Sequence, residues 1–141
     1  MKTHLLNTVL IVTLLFGSFT LYGQEQSESK TNNYVVMTTK IPQLSPIILT
    51  AKALKKEDGP TFGRFIVIIC GKNSGELTDK DKMYPFIRKA EKADVEIVAC
   101  GFSLHKFKVD TTKLPKAIRT VENGILYNFQ LQKQGYKSIS L

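Results

Sequence analysis

The fold class is decided by the stretch Val95-Glu96-Ile97-Val98-Ala99-Cys100-Gly101-Phe102-Ser103-Leu104. Its first six residues form an apolar run, which predicts a buried strand that ends in a thiol. The residues after Cys100 predict a tight glycine turn and then a helix. Open α/β sheets bind ligands at the carboxyl ends of their strands, where N–H groups at the start of a helix can stabilise a thiolate. Cys100 is therefore either a reactive thiol or a small buried hydrophobe.

The rest of the chain alternates between strand and helix patterns. Apolar, β-branched runs predict strands at 34–39, 65–70, 95–100, 117–121 and 136–140. Helical spacing predicts helices at 46–55, 79–93, 103–107 and 123–134, and in the last of these we expect Ile125, Leu126, Phe129 and Leu131 to face inward. Such alternation predicts an α/β protein, a three-layer α/β/α sandwich with a mostly parallel five-stranded sheet.

The first 33 residues have the pattern of an export signal and a polar leader. A short basic start, an apolar run over 5–19 and the small residue Gly23 predict a cleaved signal peptide at 1–23. An uncleaved anchor is the alternative, but the run is shorter than the ~20 apolar residues of a spanning helix. Residues 24–33 predict a flexible leader, and 34–141 one small domain. We therefore expect a periplasmic or secreted protein with no stable membrane insertion after signal cleavage.

The charge is strongly basic, with 20 Lys and Arg against 12 Asp and Glu and a net charge of +8. The basic residues are scattered among acidic ones and never form a dense arm, and no nucleic-acid-binding motif accompanies them. This pattern favours a solvated surface that attracts anions over a nucleic-acid partner.

Two cysteines, Cys70 and Cys100, are present in a chain that we expect to be exported. A single disulfide is one interpretation, since such compartments are oxidising. Both cysteines end predicted parallel strands, however, and in the common doubly wound order the first strand lies between those two. Neighbouring strands would put their backbones ~4.8 Å apart, within reach of a disulfide, whereas the doubly wound order puts them about twice as far apart, which is too far. We therefore expect no Cys70–Cys100 disulfide and a free Cys100.

Other catalytic patterns are sparse. His105 follows Cys100 by five residues, so it is a candidate to hold or take the thiol proton, and an exposed surface histidine is the alternative. The turn at 71–75 lacks the spacing of a phosphate-binding loop. No pairing of Cys or His has the spacing of structural zinc. We expect neither a metal nor an organic cofactor.

Two parts of the chain resemble the DsrE/DsrF-like family of small sulfur-handling proteins, and in particular its secreted DsrE-like members. They are the stretch 95–109, centred on Ala99-Cys100-Gly101-Phe102-Ser103-Leu104, and the tail with Leu114-Pro115, Val121-Glu122-Asn123-Gly124 and Leu131-Gln132-Lys133-Gln134-Gly135-Tyr136. The resemblance implies a flavodoxin-like sandwich that assembles into a homotrimer or homohexamer. It also implies that Cys100 stands where the sulfurtransferase members accept a sulfane sulfur and carry it as a persulfide.

Two functions are consistent with these features. One is an exported sulfur carrier or sulfurtransferase-like protein that uses a persulfide on Cys100. There Gly101 would permit close approach, the N–H groups near Phe102 and Ser103 would stabilise the thiolate, and His105 or Lys106 would add positive character. The other is a non-catalytic oligomeric binding module in which Cys100 is structural or buried. The sequence identifies neither a sulfur donor nor an acceptor, and it assigns no role to the second thiol, Cys70.

Overall fold

The structure is a computed structural model that describes residues 31–141. The predicted signal peptide and most of the predicted leader lie outside the described residues. The strands are Asn32–Thr38 (β1), Phe62–Ile69 (β2), Val95–Cys100 (β3), Arg119–Val121 (β4) and Lys137–Ser140 (β5). The α-helices of the described part are Leu44–Asp58 (α1), Lys80–Glu91 (α2), Gly101–Lys106 (α3) and Gly124–Lys133 (α4).

The five strands form one sheet in the order β4-β3-β2-β1-β5, and every neighbouring pair is parallel. This confirms the predicted three-layer α/β/α sandwich of the flavodoxin-like kind. The expected strand order is wrong, because β2 and β3 are neighbours and β1 lies on the far side of β2. From β1 to β4, each new strand is added to the same edge of the sheet. The connection from β4 to β5 then returns across the sheet and adds β5 beside β1.

This order decides which helix covers which face of the sheet. Crossovers between parallel strands are right-handed, so the helices that connect β1 to β2 and β2 to β3 lie on the same face of the sheet. The connection from β4 to β5 runs in the opposite direction, so its helix lies on the other face. Accordingly, α1 and α2 cover one face, which we call the α1–α2 face, and α4 covers the other, which we call the α4 face. Alternate strand residues supply the two cores: Val36, Val67 and Ile97 on the first face, and Val35, Ile68 and Val98 on the second.

The expected orientation of α4 is wrong for three of its four apolar residues. Only Leu131 is buried, whereas Ile125, Leu126 and Phe129 are 54%, 53% and 56% exposed. The face towards the sheet instead carries Gly124 and Asn128 with Leu131. The small Gly124 lets the start of α4 lie close to the strands, and its larger apolar residues face outward.

The domain begins slightly before the predicted boundary at residue 34. Asn32 and Asn33 belong to β1, and Asn32 pairs with Phe62. The Asn33 Oδ1 atom accepts a hydrogen bond of 2.7 Å from the N–H of Arg64. Because these contacts fix the backbone in the sheet, the last two residues of the predicted leader are part of the domain.

Candidate thiol site at the carboxyl edge of the sheet

Cys70 and Cys100 lie side by side at the carboxyl edge of the sheet. The last residue of β2, Ile69, pairs with Ala99 of β3, Cys70 follows β2 directly, and Cys100 is the last residue of β3. The N–H of Cys70 still donates to the Thr38 carbonyl at 3.0 Å, so the backbone of Cys70 remains in line with the sheet. Because side chains alternate along a strand, both cysteines belong to the α4 face. We call them the thiol pair.

The first residue of α4 lies directly against the thiol pair. The Gly124 N–H donates to the Cys100 Sγ atom at 3.2 Å. A Cβ atom at Gly124 would come within 2.7 Å of the Cys70 Sγ and 3.0 Å of the Cys100 Cβ. The side chain of Asn123 accepts from the next two N–H groups of α4, those of Ile125 and Leu126. The Asn123 side chain therefore does not compete for the Gly124 N–H, which is free to bond the sulfur. Only a glycine at this position lets the start of α4 come so close to the two cysteines.

Ser103 of α3 lies on the other side of the Cys100 sulfur. Its Oγ atom accepts a hydrogen bond of 2.9 Å from the N–H of Gly71, so the hydroxyl proton is free to point at the sulfur. Burial alone would raise the pKa of Cys100, but hydrogen bonds from Ser103, from the Gly124 N–H and from the Cys70 thiol outweigh it and lower the pKa. The site thus favours a thiolate on Cys100 at lower pH than for a free cysteine.

The partner thiol has the opposite tendency. Burial, and then the charge and the hydrogen bond of Cys100, raise the pKa of Cys70 to about 12. Cys70 therefore keeps its proton at neutral pH. The surroundings shift the two thiols in opposite directions, lowering the pKa of Cys100 and raising that of Cys70.

The thiol pair lines an open pocket of about 470 Å³. Cys100 is buried, with 3% of its surface exposed, and Cys70 is half-buried. Lys106 is the basic residue of the lining and supplies a positive charge to the pocket. The lining is otherwise mostly apolar or neutral, and its side chains include Met37, Thr38, Phe102, Phe107, Ile125 and Leu141.

The structure divides the predicted turn residues by role. Hydrogen bonds from Ser103 lower the pKa of Cys100, but the Phe102 N–H donates to the Glu122 carbonyl at 2.8 Å and is not available to Cys100. Gly101 opens α3 directly, so no separate turn precedes the helix. A Cβ at Gly101 would lie 2.9 Å from the Val121 carbonyl oxygen, so the close approach that it permits is to the end of β4.

His105 does not belong to the thiol site. It is exposed and lines a different hollow, together with Leu104 and Thr120. The structure therefore does not bring His105 into the pocket of Cys100, and it offers no support for their pairing as a catalytic acid or base. The side chain of the neighbouring Lys106, one position further along α3, lines the thiol pocket instead. One residue along a helix turns a side chain by about 100°, which explains why the two residues line separate pockets.

Sequence reasoning missed the two residues that start α4. Gly124 supplies a hydrogen bond to Cys100, and Asn123 caps α4 and lines the pocket. The signal for both is the Asn123-Gly124 pair at the start of a helical pattern, since Asn is a favoured N-cap. The sequence pair alone, however, does not show that Gly124 lies next to the two cysteines, because this contact depends on the fold.

Both cysteines are free thiols in the structure. The geometric reason given above for expecting no disulfide is wrong, because no strand lies between β2 and β3. The one-directional strand order places the two thiols next to each other, so each affects the pKa of the other.

Two further observations concern the described residues. Within residues 31–141, no helix is both long enough and apolar enough to cross a bilayer. In the same part of the chain, no three His, Cys, Asp or Glu side chains are grouped so that they could hold a metal ion.

Comparisons with known proteins support the fold alone. No protein-family model matches the chain, and no curated protein matches its sequence. The chain is similar in structure to MTH1491 from Methanobacterium thermoautotrophicum, a protein of unknown function. The similarity has a TM-score of 0.64 and covers 78% of this chain and 100% of that one, at 16% sequence identity. This chain is thus a three-layer α/β/α protein with a thiol pair in a pocket at the carboxyl edge of its sheet.

Proposed function

We propose that the protein is a sulfur carrier of the sulfurtransferase-like kind, in which Cys100 holds a sulfane sulfur as a persulfide. The observation that carries the proposal is the hydrogen bond from the Gly124 N–H to the Cys100 sulfur, in a pocket that Cys70 and Lys106 also line. A lowered pKa increases the thiolate fraction at neutral pH, and the thiolate is the nucleophile in sulfur transfer. No metal or organic cofactor is needed for this chemistry.

The loading step is a displacement at sulfur. The Cys100 thiolate attacks a sulfane sulfur of an inorganic polysulfide, and a new bond forms between that sulfur and the Cys100 Sγ atom. The S–S bond of the donor breaks, and its electron pair leaves with the shortened polysulfide anion. Delivery is the reverse displacement, in which an acceptor thiolate removes the outer sulfur and restores the Cys100 thiolate.

The pocket suits an anionic sulfur chain. Its volume of about 470 Å³ exceeds the needs of a few sulfur atoms, and Lys106 supplies a positive charge at its wall. Apolar lining residues such as Met37 and Phe102 favour soft, polarizable sulfur over strongly hydrated anions. The net basic charge of the chain attracts anions from a distance.

A non-catalytic oligomeric binding module is the second candidate, and one observation favours it. Cys100 is only 3% exposed, which is typical of a structural cysteine. In that case the pocket would bind a small ligand or a peptide, and the Cys100 sulfur would form part of its lining. Modification of Cys100 in the native protein discriminates between the two functions, because only the carrier needs a reagent to reach the sulfur.

We propose also that the protein forms a homotrimer or homohexamer. The support is the apolar outer side of α4, where Ile125, Leu126 and Phe129 are exposed, together with the exposed Phe102 at the pocket. Contiguous apolar surface on a soluble domain marks an interface. We place the protein in the periplasm or outside the cell, on the pattern of residues 1–23.

Mass spectrometry of the protein after incubation with polysulfide or thiosulfate tests the carrier function. We expect the Cys100 peptide to gain one sulfur atom, about 32 Da. The Cys100→Ser variant should gain none, whereas the Cys70→Ser variant, which keeps the nucleophile, should still load. Unchanged mass in both the wild type and the Cys70→Ser variant would exclude the proposal and favour the binding module.

A further inference from the structure

We infer that Cys70 is the resolving thiol of this site, which attacks the sulfur of Cys100 when Cys100 carries an adduct and closes a Cys70–Cys100 disulfide. The adduct is a mixed disulfide or, if the proposed carrier function holds, a persulfide. For the persulfide the inference rests on that function, whereas for the mixed disulfide it stands on the geometry of the thiol pair alone.

The backbone positions fit a disulfide. The two cysteines follow the paired residues Ile69 and Ala99 on neighbouring parallel strands. Neighbouring strands lie about 4.8 Å apart, which is within the Cα separation of about 4.4–6.8 Å that disulfides span. Both side chains are on the α4 face, so both sulfurs lie on the same side of the sheet.

The sulfurs are also placed together by their surroundings. Gly124 packs on both cysteines, since a Cβ there would touch the Cys70 Sγ and the Cys100 Cβ. Both residues line the same pocket, so a reagent that reaches Cys100 enters the space next to Cys70. Cys70 is the more exposed of the two.

The resolving step balances without a further reactant. Cys70 loses its proton, and its sulfur attacks the Sγ of Cys100. The bond between that Sγ and the adduct sulfur breaks, and the leaving sulfur takes the electron pair and the proton. A persulfide thus yields hydrogen sulfide and a mixed disulfide yields a free thiol. Loading and resolution together oxidise the two cysteines by two electrons and reduce the reagent that formed the adduct by two. A dithiol reductant returns the thiol pair to its starting state.

The environment of Cys70 sets the speed of this step. Burial is the main cause that raises the pKa of Cys70 to about 12, and it acts also when Cys100 has lost its negative charge. Only a small fraction of Cys70 is thiolate at neutral pH, so resolution should be slow there. Its rate should rise about tenfold for each pH unit while the pH stays below the pKa of Cys70. A persulfide on Cys100 would then persist long enough to be delivered.

The first experiment uses the full chain and one equivalent of an aromatic disulfide reagent whose thiol is coloured. In the wild type we expect two successive releases of coloured thiol and a product with a Cys70–Cys100 peptide. The second release should accelerate about tenfold per pH unit. The Cys70→Ser variant should release the thiol once and keep its adduct on Cys100, and Cys70→Ala provides the same comparison if Cys70→Ser does not fold. A wild-type adduct as stable as that of the variants would overturn the inference.

The second experiment uses inorganic polysulfide, and it separates failure of the inference from failure of the proposed function. If both hold, Cys70→Ser gains one sulfur and keeps it, whereas the wild type first gains the sulfur and then releases sulfide and forms the disulfide. If the variant loads and the wild type retains its persulfide without a disulfide, the inference fails and the carrier function stands. If neither protein loads while the aromatic reagent still gives the disulfide, the carrier function fails and the inference stands for mixed disulfides.

Discussion

The two faces of the sheet are packed in different ways. On the α1–α2 face, large side chains of strands and helices are fully buried, among them Phe65, Leu44 and Met83. On the α4 face, the helix meets the strands through Gly124, Asn128 and Leu131 and leaves its larger apolar residues outside. Close packing of large side chains stabilises a fold. The small Gly124 instead lets a backbone N–H reach the Cys100 sulfur. The α1–α2 face thus buries the larger share of the core, and the α4 face carries the thiol site.

The largest expected effect is a loss of stability on the α1–α2 face. Phe65 is 2% exposed, so Phe65→Ala should lower the free energy of unfolding by about 3–5 kcal/mol through lost burial and the cavity it leaves. The matched variant on α4, Phe129→Ala, removes an exposed ring and should change stability by no more than about 0.5 kcal/mol in the monomer. Urea unfolding of the two variants measures the difference, and equal losses would contradict the contrast between the faces.

A methyl group at Gly124 should damage the thiol site and the packing together. In Gly124→Ala the new Cβ would overlap the Cys70 Sγ, so we expect a loss of about 1–3 kcal/mol in stability. The shift of α4 should also withdraw its N–H from Cys100 and raise the pKa of that thiol. Gly75→Ala is the control, because its Cβ would meet Val109 at an ordinary 3.8 Å. Thermal unfolding and the pH dependence of alkylation report the two effects.

Removing the Ser103 hydroxyl should act mainly on the chemistry. Ser103→Ala deletes one hydrogen bond to the Cys100 sulfur and the acceptor of the Gly71 N–H. We expect a higher pKa of Cys100, slower alkylation at neutral pH and a loss of about 0.5–1.5 kcal/mol in stability. Ser103→Thr keeps the hydroxyl and should restore the pKa in part. An unchanged alkylation profile in Ser103→Ala would show that Ser103 does not hold the thiolate.

The smallest expected effect is on stability, and it comes from Glu96, which lies on the α4 face at the amino end of β3, away from the thiol pair. Burial raises the pKa of Glu96. Hydrogen bonds from Arg119 at 2.5 Å and Arg64 at 2.6 Å lower it by more than burial raises it, so the net shift is downward. The stability that this shift contributes is present above the unfolded pKa of about 4.3 and is lost as the pH falls through the lower folded value. Glu96→Gln should therefore cost at most about 1 kcal/mol at neutral pH and little at low pH. Unfolding at several pH values measures this, and a cost that grows on acidification would contradict it.

Local patterns predicted the layers of the fold but not how they are arranged. The run from Val95 to Cys100 has the same bounds in the structure as in the prediction, because continuous burial on both faces leaves a clear apolar signature. Strand order leaves no such signature, since either order needs the same buried strands. The structure therefore corrected the separation of Cys70 and Cys100, which depended on that order.

The same limit applies to α4 and to the candidate site. Apolar side chains at Ile125, Leu126 and Phe129 predict an inward face only if the helix packs through its largest residues. Here the helix packs through Gly124, which no hydrophobic pattern identifies as a contact. The sequence likewise offered His105 as a candidate partner of Cys100, whereas the helical rotation places Lys106 at the pocket instead.

The central claim is that Cys100 is a reachable thiolate held by hydrogen bonds from Gly124 and Ser103. Its most direct test is the rate of Cys100 alkylation by iodoacetamide in the native protein as a function of pH, with each cysteine followed by its own peptide. We expect Cys100 to react with a midpoint below the ordinary thiol value of about 8.5, and Cys70 to stay largely unmodified at neutral pH. A Cys100 that stays inert until the protein is denatured, or whose midpoint lies at or above the ordinary value, would contradict the claim.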